Sequence, residues 1–213
     1  MKRILLLLAV AGFTGYLSAQ DLKPITLNPP DKTRGLPVMT AFSNRASATS
    51  WNGENLKLQD LSDLLWAADG INRPESKKRT APSAMNLQDI DIYVFLPDGV
   101  YLYNAAASTL EPVITGDQRI VAAGRQADMA KAPAILVLIS DISKFSGGDE
   151  SNKLLMAAMD AGIVSQNISI FCAGAGLITR PRATMDQAKL KEILKLKDSQ
   201  RPLLNNPVSY PVK

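Results

Sequence analysis

Residues 44–49 read NRASAT, residues 64–73 read LLWAADGINR and residues 79–86 read RTAPSAMN. These three stretches, in this order and at this spacing, decide the fold of the chain. Apolar residues at positions 61, 64, 65 and 68 recur at helical spacing, which predicts a helix from Leu56 to Ala68 with one buried face. Gly70 stands where a left-handed cap would end that helix.

Downstream of this segment, the hydrophobic pattern changes to one typical of β-strands. The run from Ile90 to Leu96 is followed by the turn residues Pro97-Asp98-Gly99 and by a second β-rich run from Val100 to Tyr103. This arrangement predicts a β-hairpin. The continuous apolar run from Ala134 to Ile139 predicts a central strand that is buried on both faces.

Helices are predicted on either side of that strand. A short one is expected around Gln118 to Gln126, and Ser151 to Ala173 is long enough for about six helical turns. The spacing of Thr184 and Gln187 indicates a capping box at the start of a last helix. The tail from Leu203 to Val212 reads as an edge strand or an arm. Helices around a mostly antiparallel sheet make an α+β domain.

The first forty residues stand apart from this domain. Two basic residues precede an apolar run from Ile4 to Val10, which predicts a secretory signal at residues 1–20. The alternative, a transmembrane anchor, needs about 20 apolar residues, and this run is shorter. We therefore expect an exported, periplasmic protein without a membrane anchor after cleavage, with an N-terminal arm at residues 21–40 and one domain at residues 41–213.

Composition excludes several kinds of function. The chain has no histidine and a single cysteine, Cys172, which excludes a zinc site, a Ser-His-Asp triad, a Cys-His pair and an internal disulfide. Removing Lys2 and Arg3 leaves 22 of the 24 basic residues against 20 acidic ones, and a net charge of +2 predicts no nucleic-acid partner. We identify no metal site and no catalytic side chain, so the chemistry is expected to belong to a cofactor.

Together the three stretches resemble the nitroreductase superfamily, especially its compact branch related to thiazole- and oxazole-forming (SagB-type) dehydrogenases. The similarity continues through residues 91–94, 99–103 and 160–167 and covers the chain from about Ala41 onward. The resemblance implies a nitroreductase-like α+β fold and a homodimer with two FMN sites, each built from both protomers. It also implies two-electron transfer through flavin between a small-molecule donor and acceptor, with nitroaromatic, quinone or azoline-like substrates.

The resemblance assigns cofactor-binding roles first to a loop. Arg45 and Ser47 match a family motif in which a guanidinium grips the FMN phosphate and a hydroxyl bonds phosphate or ribityl oxygens; the alternative for Arg45 is a solvated surface arginine. Thr49 stands where the family usually has lysine or arginine near flavin N1 and the C2 carbonyl. Two hypotheses follow: Arg79 supplies the missing charge, or this flavin is harder to reduce.

A second group of cofactor residues is implied beside the flavin ring. Pro82, Ser83 and Asn86 match the family's turn next to the isoalloxazine, where an amide can satisfy N3 and the neighbouring carbonyl. The alternative role of Asn86 is to cap the turn before the next strand. Thr179 and Arg180 match the loop near flavin N5.

Several positions depart from the family pattern or stay open. Pro181 and Arg182 replace the small residues expected beside the N5 loop, and only Lys213 corresponds to the family's final basic residues. Gln166 and Asn167 are amides within an apolar helix and need partners in the core, across the dimer or at the cofactor. A second hypothesis is therefore a flavin carrier or a cofactor-free binding protein on the same scaffold. Export would also separate the protein from NADH and NADPH, the family's usual reductants.

Overall fold

Strands and helices alternate along the computed structural model, which describes residues 22–212. The predicted signal peptide and Lys213 lie outside the described residues. In chain order the elements are β1 (Ile25–Thr26), α1 (Val38–Asn44), α2 (Leu58–Asp69), β2 (Ile71–Arg73), β3 (Lys78–Arg79), β4 (Ile90–Phe95), β5 (Gly99–Asn104), β6 (Thr109–Thr115), α3 (Arg119–Ala123), β7 (Ala134–Asp141), α4 (Glu150–Ala175), β8 (Ile178–Thr179), α5 (Gln187–Ile193) and β9 (Gln200–Ser209).

The described residues form a seven-stranded antiparallel sheet in the order β1-β6-β5-β4-β7-β9-β8, and β2 and β3 form a separate small hairpin. The predicted hairpin of β4 and β5 is confirmed, with Tyr93 opposite Leu102. Strand β7 lies between β4 and β9 at the centre of the sheet, as its apolar run predicts. The α+β class and the mostly antiparallel sheet flanked by helices are both confirmed.

Strand β7 separates two hydrophobic cores. Leu136 and Leu138 pack with apolar residues of α2 and α4 on one face of the sheet. Ile135 and Val137 pack with α3 and α5 on the other face. Because alternate side chains of a strand point to opposite faces, a strand between two helical layers must be apolar throughout.

The longest helix, α4, positions both halves of the candidate site. It begins after Asp149, whose carboxylate accepts a hydrogen bond from the Asn152 N–H, and ends at Gly176 in the left-handed conformation with φ 75°. By length and composition α4 could cross a membrane. In the domain it packs against α1, α2 and β9, which identifies it as a core helix with one outward face.

Three local predictions are wrong. Gly70 has an extended conformation with φ −76°, and its lack of a side chain is explained by Trp66, which would lie 2.5 Å from a Cβ at this position. Helix α5 is capped by Asp186, whose carboxylate accepts from the Lys189 N–H at 2.9 Å, and not by Thr184. Strand β9 is not at the edge, because it pairs with β7 on one side and β8 on the other.

The segment before α1 runs along the domain in an extended form. Its strand β1 adds to the edge of the sheet next to β6. Arg34 then forms ion pairs with Asp60 at 2.7 Å and with Asp63 at 2.8 Å, both on α2. These contacts fix the direction from which the chain enters α1.

Candidate functional site

The residues predicted to bind a cofactor fall into two groups, one beside the C-terminal half of α4 and one beside its N-terminal half. The first group surrounds a cavity of about 290 Å³ between the loop at residues 44–50, the C-terminal half of α4 and β8. We call this the loop cavity. Ser47, Thr49 and Thr179 line it, together with the small side chains of Ala46, Ala48 and Ala173.

The loop is held in place by strand β8. Ser47 forms a parallel β-bridge with Thr179, and the Ala48 N–H donates to the Thr179 carbonyl at 2.9 Å. The Thr179 hydroxyl is buried and donates to the Pro207 carbonyl at 2.8 Å. Thr179 therefore positions the loop through its backbone, while its hydroxyl is engaged within the sheet.

Arg45 caps the C-terminus of α1 at the rim of the loop cavity. Its neighbours Asn44 and Ala46 contribute to the cavity wall, whereas its own side chain is exposed and does not. Within residues 22–212 the Arg45 guanidinium makes no hydrogen bond or ion pair. Its five N–H donors are thus available to an anion.

Arg180 and Arg182 follow the loop anchor but differ in environment. Arg182 is buried and donates to the Gln126 side chain, the Asn205 side chain and the Ala123 carbonyl at 2.7 to 3.0 Å. Burial and the neighbouring Arg180 lower the pKa of Arg182. Arg182 is therefore a structural residue that joins α3 to β9. Arg180 is half-buried and lies outside the wall of the loop cavity.

The second group lies in the Pro-Ser turn, which we define as residues 82–88. Met85 and Asn86 have φ values of 52° and 54°, an uncommon conformation for residues other than glycine. The Ser83 hydroxyl accepts from the Gln88 N–H at 2.9 Å and so caps the turn. Asn86 does not have this capping role. Its side chain is exposed and forms no hydrogen bond with the described residues, so both its donor and its acceptor are open.

Arg79 lies against the Pro-Ser turn and is paired with an acid. Its guanidinium donates to the Gln88 side chain at 3.2 Å, to the Asp69 carboxylate at 3.2 Å and to the Asp69 carbonyl at 2.7 Å. The turn also contacts Asp160 of α4, twelve residues before Cys172 in the wall of the loop cavity. Twelve residues correspond to about 18 Å of helix. The two groups therefore do not meet within one protomer.

Two further residues of α4 have structural roles. Asn167 donates to the Ala68 carbonyl at 3.1 Å and joins α4 to α2, whereas Gln166 is exposed on the outer face. Cys172 is buried in the wall of the loop cavity, and burial raises the pKa of its thiol. This thiol is neutral and acts in packing.

The outward face of α4 is apolar apart from Gln166, a feature that sequence reasoning missed. Leu155 and Met159 are 51% and 53% exposed near its N-terminal end, and Ile163 and Ile170 continue the same face. At the other end α1 packs against α4 and exposes Phe42 and its neighbours Val38 and Met39. The helix has apolar residues on both faces, so its periodicity did not separate the inner face from the outer one.

A model of the nitroreductase family matches residues 43–210. The chain belongs to the nitroreductase family. A solved structure from Ralstonia eutropha, assigned as a nitroreductase, is 30% identical with a TM-score of 0.84 and covers 100% of this chain and 97% of its own. A protein of Methanocaldococcus jannaschii assigned to the nitroreductases is 28% identical over 178 residues, which are 79% of this chain and 88% of that protein. A chain of the Escherichia coli microcin synthetase complex shares the fold, with 18% identity and a TM-score of 0.71 over 98% of this chain and 85% of its own.

The donor set of this nitroreductase-family chain fits an FMN molecule. The loop cavity offers the hydroxyls of Ser47, Thr49 and Ser50, and small alanines leave room between them. The Arg45 guanidinium at the rim has no partner among residues 22–212 and suits a phosphate. At the Pro-Ser turn, the open amide of Asn86 suits the polar edge of the flavin ring.

Proposed function

We propose that this protein is an FMN-dependent oxidoreductase that moves two electrons between a small-molecule donor and acceptor. The observation that carries this proposal is the loop cavity, which Ser47, Thr49 and Thr179 line in a chain of the nitroreductase family. Nitroaromatics, quinones and azoline-like compounds are the proposed substrate classes. When bound, FMN supplies the hydride chemistry at its N5.

The chain's own residues bind and orient the cofactor in this proposal. Arg45 holds the phosphate through charge-assisted hydrogen bonds, and Ser47 bonds phosphate or ribityl oxygens. Asn86 satisfies the N3 and carbonyl edge of the ring. Thr179 keeps the loop against the sheet, and the neighbouring Arg180 would meet an anionic substrate or a phosphate.

We propose that the active form is a homodimer. A cavity of about 290 Å³ lies at the lower end of the range of ligand pockets, so one protomer supplies only part of the site. The Pro-Ser turn contacts the N-terminal half of α4 and the loop cavity its C-terminal half. The outward face of the helix exposes Leu155 and Met159 beside the turn. Pairing this face with that of a second copy would bring the turn of one protomer to the loop cavity of the other.

The absorption spectrum of the purified mature protein tests the flavin site. Retained flavin bands after incubation with FMN and gel filtration, with about one FMN per chain, are expected. Turnover of a reductant with a nitroaromatic or quinone acceptor is then expected to reduce and reoxidise these bands. A colourless protein that takes up no FMN would contradict the proposal.

A second candidate function is a flavin carrier or a cofactor-free binding protein. The observation that favours it is Thr49, a neutral hydroxyl in the loop cavity where the family usually has a basic residue. A protein that holds FMN but turns over no donor and acceptor pair would support the carrier. Colourless protein would support the cofactor-free alternative.

The proposed location is the periplasm, based on the N-terminal signal pattern. An electron donor other than NADH or NADPH is then required, and a quinone or oxygen is the proposed final acceptor. Fractionation of expressing cells and N-terminal sequencing of the mature chain test the location. Protein that stays in the cytoplasm with its first twenty residues intact would contradict export.

A further inference from the structure

Three buried aspartates line one small cavity beneath the Pro-Ser turn. Asp69 ends α2, Asp89 precedes β4, and Asp160 lies in α4, and each is at most 5% exposed. Together with Pro82 and Ser83 they line a cavity of about 10 Å³, which holds at most one water molecule. Sequence reasoning missed this cluster, although an aspartate within an apolar helix was a signal for it.

The side chains of Asp160 and Asp89 line the same small cavity, and the proximity of Asp89 raises the pKa of Asp160. A carboxylate contains only acceptors, so two adjacent carboxyl groups can form a hydrogen bond only when one proton lies between them. Asp89 Oδ2 accepts from the Ser140 hydroxyl. Asp89 Oδ1 is fully buried and receives no hydrogen bond from an amide, hydroxyl or cationic group of residues 22–212. A shared proton is the donor that this carboxyl group lacks.

The surroundings favour a neutral carboxyl in this cluster. Burial raises the pKa of Asp160, the Ala84 N–H opposes this effect, and the contact with Asp89 adds to it. Burial also raises the pKa of Asp69 to about 7, although Arg79 opposes the shift. In the described part of the chain, two cations lie among five acids: Arg79 and Lys144 among Asp69, Asp89, Asp91, Asp141 and Asp160.

The cavity between the three aspartates is better suited to a proton shared by two carboxyl groups than to a bound metal ion. No group of three carboxylate or thiol side chains among residues 22–212 is arranged to hold a metal. The small cavity also leaves no space for a hydrated cation.

We propose that Asp160 is a positioning residue for the flavin edge. A proton shared with Asp89 holds the Asp160 carboxyl group in place as the acceptor of the Ala84 N–H. This hydrogen bond fixes the conformation of the Pro-Ser turn. Both Asp160 oxygens accept from this N–H, at 2.9 and 3.1 Å. Loss of the proton places two negative charges side by side in a buried site, which separates them and releases the turn. The inference rests on the proposed FMN site, because the same turn carries Asn86.

FMN affinity as a function of pH tests this inference. Dissociation constants are measured by flavin fluorescence for the wild type, Asp89→Asn, Asp160→Asn and Asp160→Ala, with the exposed Asp128→Asn as control. Wild-type and Asp128→Asn binding is expected to weaken by up to about tenfold per pH unit above the midpoint of the pair, the limit for one linked proton. Asp89→Asn supplies a permanent amide donor to Asp160, so its binding should lack this pH dependence.

The two Asp160 variants separate positioning from general stability. Asp160→Asn keeps an acceptor for the Ala84 N–H and is expected to bind FMN at wild-type strength without the proton-linked slope. Asp160→Ala removes the acceptor and is expected to weaken binding at every pH and to shift the FMN midpoint potential. Equal affinity and potential for Asp160→Ala and Asp160→Asn would overturn the positioning role.

Infrared difference spectra of the FMN-free protein observe the shared proton itself. The wild type is expected to show a protonated carboxyl component that Asp89→Asn removes. The same spectrum and the same pH profile in both proteins would overturn the shared proton while leaving the FMN site intact. Failure of the wild type to bind FMN at any pH would instead overturn the proposed function, and the positioning role with it.

Discussion

Single side chains at the loop cavity differ in how they can hold an anionic cofactor. Arg45 is exposed at the rim and has no partner in the described part of the chain, whereas Arg182 is buried and uses its donors within the domain. Thr49 lines the same cavity and carries a neutral hydroxyl at the position where a basic side chain was expected. Cofactor affinity and redox potential can therefore be tested separately at Arg45 and Thr49.

Arg45→Ala should weaken FMN binding without harming the fold. Loss of charge-assisted hydrogen bonds to a phosphate costs about 1.5–3 kcal/mol, or roughly 10- to 150-fold in the dissociation constant. Because the side chain is exposed, the free energy of unfolding should change by less than about 0.5 kcal/mol. Arg125→Ala, at another exposed arginine, is the control for a general loss of positive charge. Equal affinity in both variants would show that Arg45 does not hold the phosphate.

Thr49→Lys should raise the midpoint potential of bound FMN. A positive charge near N1 stabilises the anionic reduced flavin, and an interaction of about 1.5–3 kcal/mol corresponds to roughly 30–60 mV for two electrons. Spectroelectrochemical titration measures the shift, with Asn55→Lys as an exposed control away from the cavity. Arg79→Ala, measured in the same way, tests whether Arg79 supplies the missing charge; an unchanged potential would reject that hypothesis.

At the scale of elements, helix α4 has two faces with different roles. Its inner face packs on α2 and the sheet through buried residues such as Ala161 and Ile168. Its outer face exposes Leu155 and Met159 and continues toward α1. Exposed apolar surface of this extent along one helix is typical of an interface between protein chains.

Met159→Glu should dissociate the proposed homodimer and abolish FMN retention. A glutamate in the centre of an apolar interface loses its hydration without gaining a partner, which destabilises the association. Analytical ultracentrifugation and the flavin content after gel filtration measure the two effects. Ile120→Glu is the matched control, since Ile120 is equally exposed, at 53%, but lies on α3. A Met159→Glu protein that remains dimeric would place the interface elsewhere.

At the scale of the whole molecule, buried acids give the fold an unusual dependence on pH. The pKa of Asp69 is raised to about 7 by burial, which outweighs its ion pair with Arg79. The folded state therefore holds this proton more tightly than the unfolded state. The associated stability is fully present below the unfolded pKa, near 4, and is lost as the pH rises toward 7.

Asp69→Asn should flatten this dependence. The variant has no carboxyl proton to lose at this position. The difference in free energy of unfolding between Asp69→Asn and the wild type should therefore shift in favour of the variant by up to about 4 kcal/mol as the pH rises from about 4 to 8. Urea denaturation at fixed pH values measures the difference. Asp128→Asn is the control because the Asp128 carboxyl is exposed. The pKa of Asp128 is lowered, so its titration affects stability only below the pH range of about 4 to 8. A constant difference between Asp69→Asn and the wild type would contradict a raised pKa.

Much of the fold follows from local patterns in the sequence. Strand β7, the β4-β5 hairpin and the long helix α4 were predictable because their apolar periodicity extends over many residues. The order of three short stretches was sufficient for the nitroreductase family. Gly70 and Thr184 were misread because a cap depends on one backbone conformation or one competing side chain, such as Asp186.

The sequence by itself therefore determined the fold class, the family and the identity of the candidate cofactor residues. Only the tertiary structure decided that Thr49 and Asn86 belong to separate groups about 18 Å apart along α4 within one protomer. It also decided that Arg182 is structural and that Asp89 meets Asp160. The physical reason is that these contacts join residues far apart in the chain, and their partners, burial and charge balance exist only once the elements have packed.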